Sequence, residues 1–284
     1  MKRVFATILV LLTATAALAQ IADGDQHWNA RAEGSQNGHA KADHINAAIA
    51  AYQRAIASDP TDLEARWKLL RAMRFKGAYV AFSNDEKRQI YGEGKKAGEE
   101  TLSVLDKRLA AKGINSVSKA TETQVADVAK TIPGAAEIFL WDAINWGEWA
   151  LAYGKFAAAR EGAADRIRRE ATIANIIDPK LEGGAPSRVL GRLHDQTPRI
   201  PFLTGWASSR QAVKFLNDSL KIDPNNKITI VFLAEAMVNN DADTRPQAVQ
   251  MLKSAVTAPV DTSFVVEQSA ALNDAKTLLR KWGA

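Results

Sequence analysis

Apolar residues recur every three or four positions along most of this chain, and no stretch alternates convincingly with a period of two. That periodicity belongs to amphipathic helices and predicts an all-α fold. Between residues 41 and 75 the pattern is clearest. Ile45, Ala48, Ile49, Tyr52, Ala55 and Ile56 mark the buried stripe of one helix, and Leu63, Trp67, Leu70 and Met73 mark that of the next. Pro60 separates them, and Asp62 is placed to cap the second. Proline lacks the N–H of a helix interior and clashes with the preceding turn, so the two helices must fold back as a hairpin.

The frame of that first helix returns. Ala48, Tyr52, Ala55 and Pro60 keep the same spacing as Ala212, Leu216, Ser219 and Pro224. Looser copies are Ile167, Ala171, Ala174 and Pro179, and Ala248, Leu252 and Ala255 before Pro259. Small residues admit a close neighbour, a large one fills the groove, and the proline ends the helix, which is the second-helix signature of a tetratricopeptide-type hairpin. Leu190-Gly191 and Leu233-Ala234 take the leucine-small position of the partner helix. The middle of the chain departs from the frame. Helical patterning runs over 84–111 with glycines at 92, 94 and 98 weakening its centre, and 112–134 reads as a connector with a short polar helix. Longer helices are expected over 135–153 and 158–177, and a terminal one over 264–282. The whole is predicted as tetratricopeptide-like helical hairpin repeats with longer non-repeat helices in the middle, a single domain spanning 41–284.

The amino terminus follows another logic. Met1-Lys2-Arg3, an apolar run from Val4 to Leu12 and Ala17-Leu18-Ala19 make the three parts of a secretory signal peptide over 1–19, with cleavage expected after Ala19 and a periplasmic destination. Residues 20–40, with Gly, Asn and Gln and little periodicity, are expected to form a loose lead-in ordered in part by Trp28. The chain has no cysteine, which excludes disulfides, thiolate metal sites, a cysteine nucleophile and a lipid-modified cysteine anchor.

The net charge of +5 is spread over helix faces. The densest group, Arg160, Arg166, Arg168 and Arg169, is interleaved with Glu161, Asp165 and Glu170, which reads as a solvated, ion-paired face and not as a nucleic-acid-binding stripe. His39 and His44 do not share a helix face, so no metal site is expected, and His194 falls at a packing position. No nucleophile elbow, phosphate loop or metalloprotease motif is present, no cofactor is implied, and no acid and base are singled out.

The unusual segment is "FLWDAINWGEWALAYG", residues 139–154. Trp141, Asn145 and Trp149 share one helix face, while Asp142, Trp146 and Tyr153 make the adjacent stripe. One reading is a central helix buried on all sides. The other is a cleft for an apolar ligand, in which Asn145 supplies the polar contact that an amide among aromatics must find.

With "WDAINWGEWA", "DPKLEGGAPSRVLGRLHDQTP" and "AVKFLNDSLKIDPNN" in view, the chain resembles the T-component proteins of tripartite ATP-independent periplasmic (TRAP) transporters. The resemblance implies a periplasmic, non-enzymatic helical-repeat protein that assembles as a homo-oligomer, a trimer, and engages the transporter's substrate-binding subunit. It also implies a hydrophobic cleft, carried here by Trp141, Asn145, Trp146 and Trp149 with Gly183, Gly184, Arg188 and Gly191 in the loop and helix that follow. Two alternatives stand beside it: a tetratricopeptide scaffold for cell-envelope assembly, partnering another envelope protein, and an unrecognised envelope enzyme.

Overall fold

The structure is a computed structural model that describes residues 17–284. The basic start and apolar run of the expected signal peptide lie outside the described residues. Every regular element among the described residues is helical. They are α1 (17–29), α2 (Ala42–Ser58), α3 (Leu63–Tyr79), α4 (Asn84–Ala111), α5 (Glu122–Ala129), α6 (Ala135–Tyr153), α7 (Lys155–Arg160), α8 (Ala163–Ile177), α9 (Leu181–Gln196), α10 (Ser209–Ile222), α11 (Lys227–Asn240), α12 (Arg245–Thr257) and α13 (Val265–Lys281). None is long and apolar enough to cross a membrane.

Local chemistry sets the helix starts. Asp62 accepts the Ala65 N–H at 2.8 Å, and Ser83 with Glu86 and Thr121 with Gln124 form reciprocal capping boxes that satisfy the orphan donors of a first turn. The recurrent frame is the packing surface. Ala48, Tyr52 and Ala55 in α2, Ala171 and Ala174 in α8, Ala212, Leu216 and Ser219 in α10, and Ala248 and Leu252 in α12 have no exposed surface. The close approach is visible at Gly191 of α9, where a Cβ would sit 2.5 Å from Leu216 and 3.1 Å from the Ala212 carbonyl.

The helices form two layers. Along the inside, α3 packs on α6, α6 on α9, α9 on α11, α11 on α13, and α13 returns to α3, so the superhelix closes on itself. Around the outside lie α2, α4, α8, α10 and α12, each against an inner neighbour. The seam that closes this ring joins the two ends of the chain. Arg31, just beyond α1, binds Glu267 at 2.9 Å and the Ser263 carbonyl at 2.8 Å, Asn273 donates to the Asn37 carbonyl, and Val266 enters the core built by α2 and α3. Gly38, at φ +79°, lies so close to α13 that a Cβ there would be 2.6 Å from the backbone of Ala270.

Three expectations change. Residues 20–29 are not a loose lead-in but continue α1, because Ile21 packs into a core with Ala55 and Ala65. The helix expected over 158–177 is two, since Gly162 at φ +66° turns the chain between α7 and α8. The glycines of α4 do not interrupt it, because α6 supplies the packing that their missing side chains leave open.

Replacing Ala212 with Trp puts an indole where α9 and α10 leave no space. The expected result is a clearly lowered melting temperature by circular dichroism, and an unchanged value would contradict the repeat frame.

Candidate functional site

Helix α6 is the hub, held between α3 and α9 within the inner layer and covered by α4 and α8. Its polar side chains enter the protein through gaps in α4. A Cβ on Gly94 would stand 2.5 Å from Asn145 Oδ1, and one on Gly98 would stand 1.7 Å from Asp142 Oδ1. Glycine is therefore required at both positions, and each admits a carbonyl-type oxygen against the α4 backbone. Asn145 donates to the carbonyls of Leu70 on α3, at 3.1 Å, and of Trp141, at 2.8 Å.

Asp142, with no exposed surface, meets Glu170 of α8, itself buried. Arg166 binds both, its Nη2 at 3.0 Å from Asp142 and its Nε at 3.0 Å from Glu170. Burial raises the proton affinity of both carboxyls, and the neighbouring acid raises Glu170 further, well above the usual carboxylate range. Each acid perturbs the proton affinity of the other, and Asp142 Oδ1 and Glu170 Oε2 are buried without a hydrogen-bond donor from any other residue. A shared proton is what makes this buried contact between like groups tolerable. Beside it the Trp146 ring carries Arg166 on one contact and Lys95 on another, each 4.4 Å from the ring centroid.

The inner face of the ring is polar. Arg74 of α3 binds Glu148 of α6, Arg71 of α3 faces Glu182 of α9 at 3.8 Å, and Arg192 of α9 binds Glu235 of α11. Arg71 also lies over Trp28 at 4.0 Å and Trp67 at 4.8 Å. Arg188 differs from these. It makes no salt bridge among the described residues, and its contacts to Thr229 and to the carbonyls of Glu182 and Gly183 are long, 3.3 to 3.4 Å. Burial pulls its guanidinium down to about 10, with Arg74 nearby adding to the effect.

The eight residues picked from the sequence divide accordingly. Trp146, 2% exposed, and Trp149, packed edge-on at 5.5 Å, belong to a core with Ile167, Ala171 and Leu190, so they do not wall an open cleft. Four neighbouring helices cover the broad aromatic side that made a cleft attractive. Asn145 is a helix-to-helix tie, and Trp141 is half-buried with its indole N–H unpaired. Gly183 and Gly184, at φ +65° and +79°, follow Glu182 at +47° in a left-handed turn that starts α9, and Gly191 is the crossing point with α10. Of these eight, Arg188 presents an under-partnered polar group on the inner face, as Arg71, whose Nε has no hydrogen-bond partner, does beside it.

Sequence reasoning missed Arg71, Arg74 and Glu148, and it took Arg166 and Glu170 for a solvated face. The available signal was Asp142, an acid embedded in an apolar helix, which demands a buried partner. His194 packs as expected, against Trp206 and Phe215, with its Nδ1 accepting the Ser208 N–H. No family model matches this sequence, and no curated protein shows significant similarity to it.

Truncating Trp146 to Ala should cost about 3–5 kcal/mol in urea unfolding, as for a core aromatic. The acid pair gives a pH signature. The folded chain keeps a proton on Asp142 and Glu170 at pH values where the unfolded chain has released it, so this contribution is full below the ordinary carboxylate range, about pH 4, and is lost as pH rises through the raised folded values. Glu170→Gln, which retains a donor for Asp142, should unfold at a higher urea concentration than wild type at pH 8 and at a similar one at pH 4. A pH-independent difference between the two would contradict the shared proton.

Proposed function

We propose that this protein is a non-enzymatic helical-repeat binding protein, a periplasmic accessory component of a TRAP-type transport system that assembles as a trimer and engages the substrate-binding subunit. The binding part of this reading is carried by Arg188, a partly buried guanidinium on the inner face that makes no salt bridge among the described residues and only long contacts to a hydroxyl and two carbonyls. Two of the segments that bear the resemblance, 141–150 and 178–198, fall largely in α6 and α9, adjacent members of the inner layer. The titratable pair with raised proton affinity, Asp142 and Glu170, is enclosed and engaged by Arg166, which supports a structural role for it over a catalytic one.

The apolar-ligand component moves with the geometry. Because Trp146 and Trp149 are enclosed, ligand contact in this proposal falls on the inner face, where Arg71 lies over Trp28 and Trp67 and shares Glu182 with Arg188. The sealed indoles equally favour the second reading, a tetratricopeptide scaffold for cell-envelope assembly without a small ligand.

Native mass spectrometry of the purified protein, alone and mixed with the purified substrate-binding subunit of a TRAP transporter, separates the two. The transport reading expects a trimer and a complex that Arg188→Met weakens at least tenfold without lowering the melting temperature. A monomer that ignores the subunit would overturn it in favour of the scaffold.

A further inference from the structure

Bulky apolar side chains are exposed on this molecule unevenly. Of the ten most exposed among the described residues, seven fall in three neighbouring segments: Phe82 before α4, Leu151, Tyr153 and Phe156 around the end of α6 and α7, and Ile200, Phe202 and Leu203 in the loop from α9 to α10. The antiparallel packing of the helices puts these segments at one end of the ring. The Arg88 guanidinium donates to the Ala152 carbonyl and the Tyr153 hydroxyl to the Arg88 carbonyl, joining the first two segments. A core that contains Trp149, Ala157, Ala163, Leu193 and Phe215 joins the ends of α6 and α9 to the starts of α8 and α10. Trp206 anchors the loop through its indole N–H, 2.8 Å from Asp165.

The tips protrude. Phe156 is 96% exposed and Phe202 is 105% exposed, and Phe202 holds a left-handed backbone at φ +65° at the start of a tight turn in which Thr204 binds Pro198 and Ile200. A phenylalanine in that conformation is strained, and here the strain yields no buried contact in return. Side chains that stand clear of the surface insert into something soft; they do not line a groove that grips a helix or strand.

Charge identifies the medium. Lys155, Arg160, Arg199 and Arg210 are exposed beside these tips and make no salt bridge among the described residues. The acids of the same segments are already occupied: Asp85 by Arg88, Glu86 by its helix cap, Glu161 by Lys95, Asp165 by Arg168 and Asp195 by Arg192. Free cations around protruding aromatic and aliphatic tips match an interfacial membrane contact, in which the rings enter the acyl boundary and the cations meet anionic headgroups. We infer that this end of the ring docks on an anionic lipid bilayer, with Phe156, Phe202 and Leu203 inserting and Lys155, Arg160, Arg199 and Arg210 contacting lipid headgroups. The inference is independent of the transport reading.

The test is flotation of the full chain with vesicles of phosphatidylcholine containing 30 mol % phosphatidylglycerol, compared with vesicles of phosphatidylcholine alone. Wild type should float with the anionic vesicles and be released by 0.5 M salt. Phe202→Ser with Leu203→Ser should lower the bound fraction at least fivefold, and Lys155→Glu with Arg199→Glu should do the same. All four positions are exposed, so the melting temperature should stay unchanged, and residues 1–16 are common to every variant and cancel in the comparison. Equal flotation of wild type and both variants, or flotation that ignores lipid charge, would overturn the inference. So would light-scattering evidence that these substitutions dissolve a homo-oligomer while vesicle binding is absent, which would make the apolar end a contact between copies.

Discussion

The closure of the inner helix layer is the constraint on which the rest of this structure depends. Stacked helical hairpins ordinarily leave an open superhelix with two ends. Here Arg31 reaches Glu267 across 236 positions of sequence, and Gly38 lets the chain press against Ala270. Once that seam is made, α3, α6, α9, α11 and α13 face one another. Their inward side chains lose much of their water and must be paired. The ion pairs Arg74 with Glu148, Arg71 with Glu182 and Arg192 with Glu235 answer that requirement helix by helix. Buried pairs of this kind add little net stability, but removing one member leaves a charge that is expensive to bury. They act as register marks for neighbouring helices, and against them Arg188 stands out as a guanidinium held by a hydroxyl and carbonyls without a salt bridge among the described residues.

A second constraint acts at α6. Asp142 and Asn145 are buried because Gly94 and Gly98 leave room for their oxygens against α4, and because Arg166 and Glu170 arrive from α8. The aromatic residues of the same helix then fill the remaining volume between those ties. Packing and polar matching cooperate, so the Trp146 indole is both a core element and the surface on which Arg166 and Lys95 rest.

Much of this was legible in the residues. The three- and four-residue spacing located the helices, and the alanine-large-small-proline frame located the faces that vanish into the hairpins, down to Ala212 and Leu216. What the spacing could not carry was which helix becomes inner and which outer, because both carry apolar stripes of similar width. Nor could it reveal the seam, whose partners are separated by nearly the whole chain. Glycines 94 and 98 illustrate the difficulty: read alone they lower helix propensity, and only the presence of Asp142 and Asn145 opposite them turns that cost into a fit. Glu170 was misread for the reverse reason, since an acid flanked by arginines looks solvated until its helix is placed against α6. Among the candidate site residues, Arg188 reached the inner face, while Trp146 and Trp149 were drawn into the core by the same breadth of aromatic surface that had suggested a cleft.

The most direct measurement is the distance between the two ends of the ring in solution. The chain has no cysteine, so spin labels on cysteines placed at Gln36 and Lys276, both exposed, report that seam without background. Double electron–electron resonance should return one short, narrow distance that broadens and lengthens when Gly38 is replaced by Val. A long, broad distribution in the otherwise unaltered protein would mean that the superhelix is open, and the paired inner face described above would have no basis.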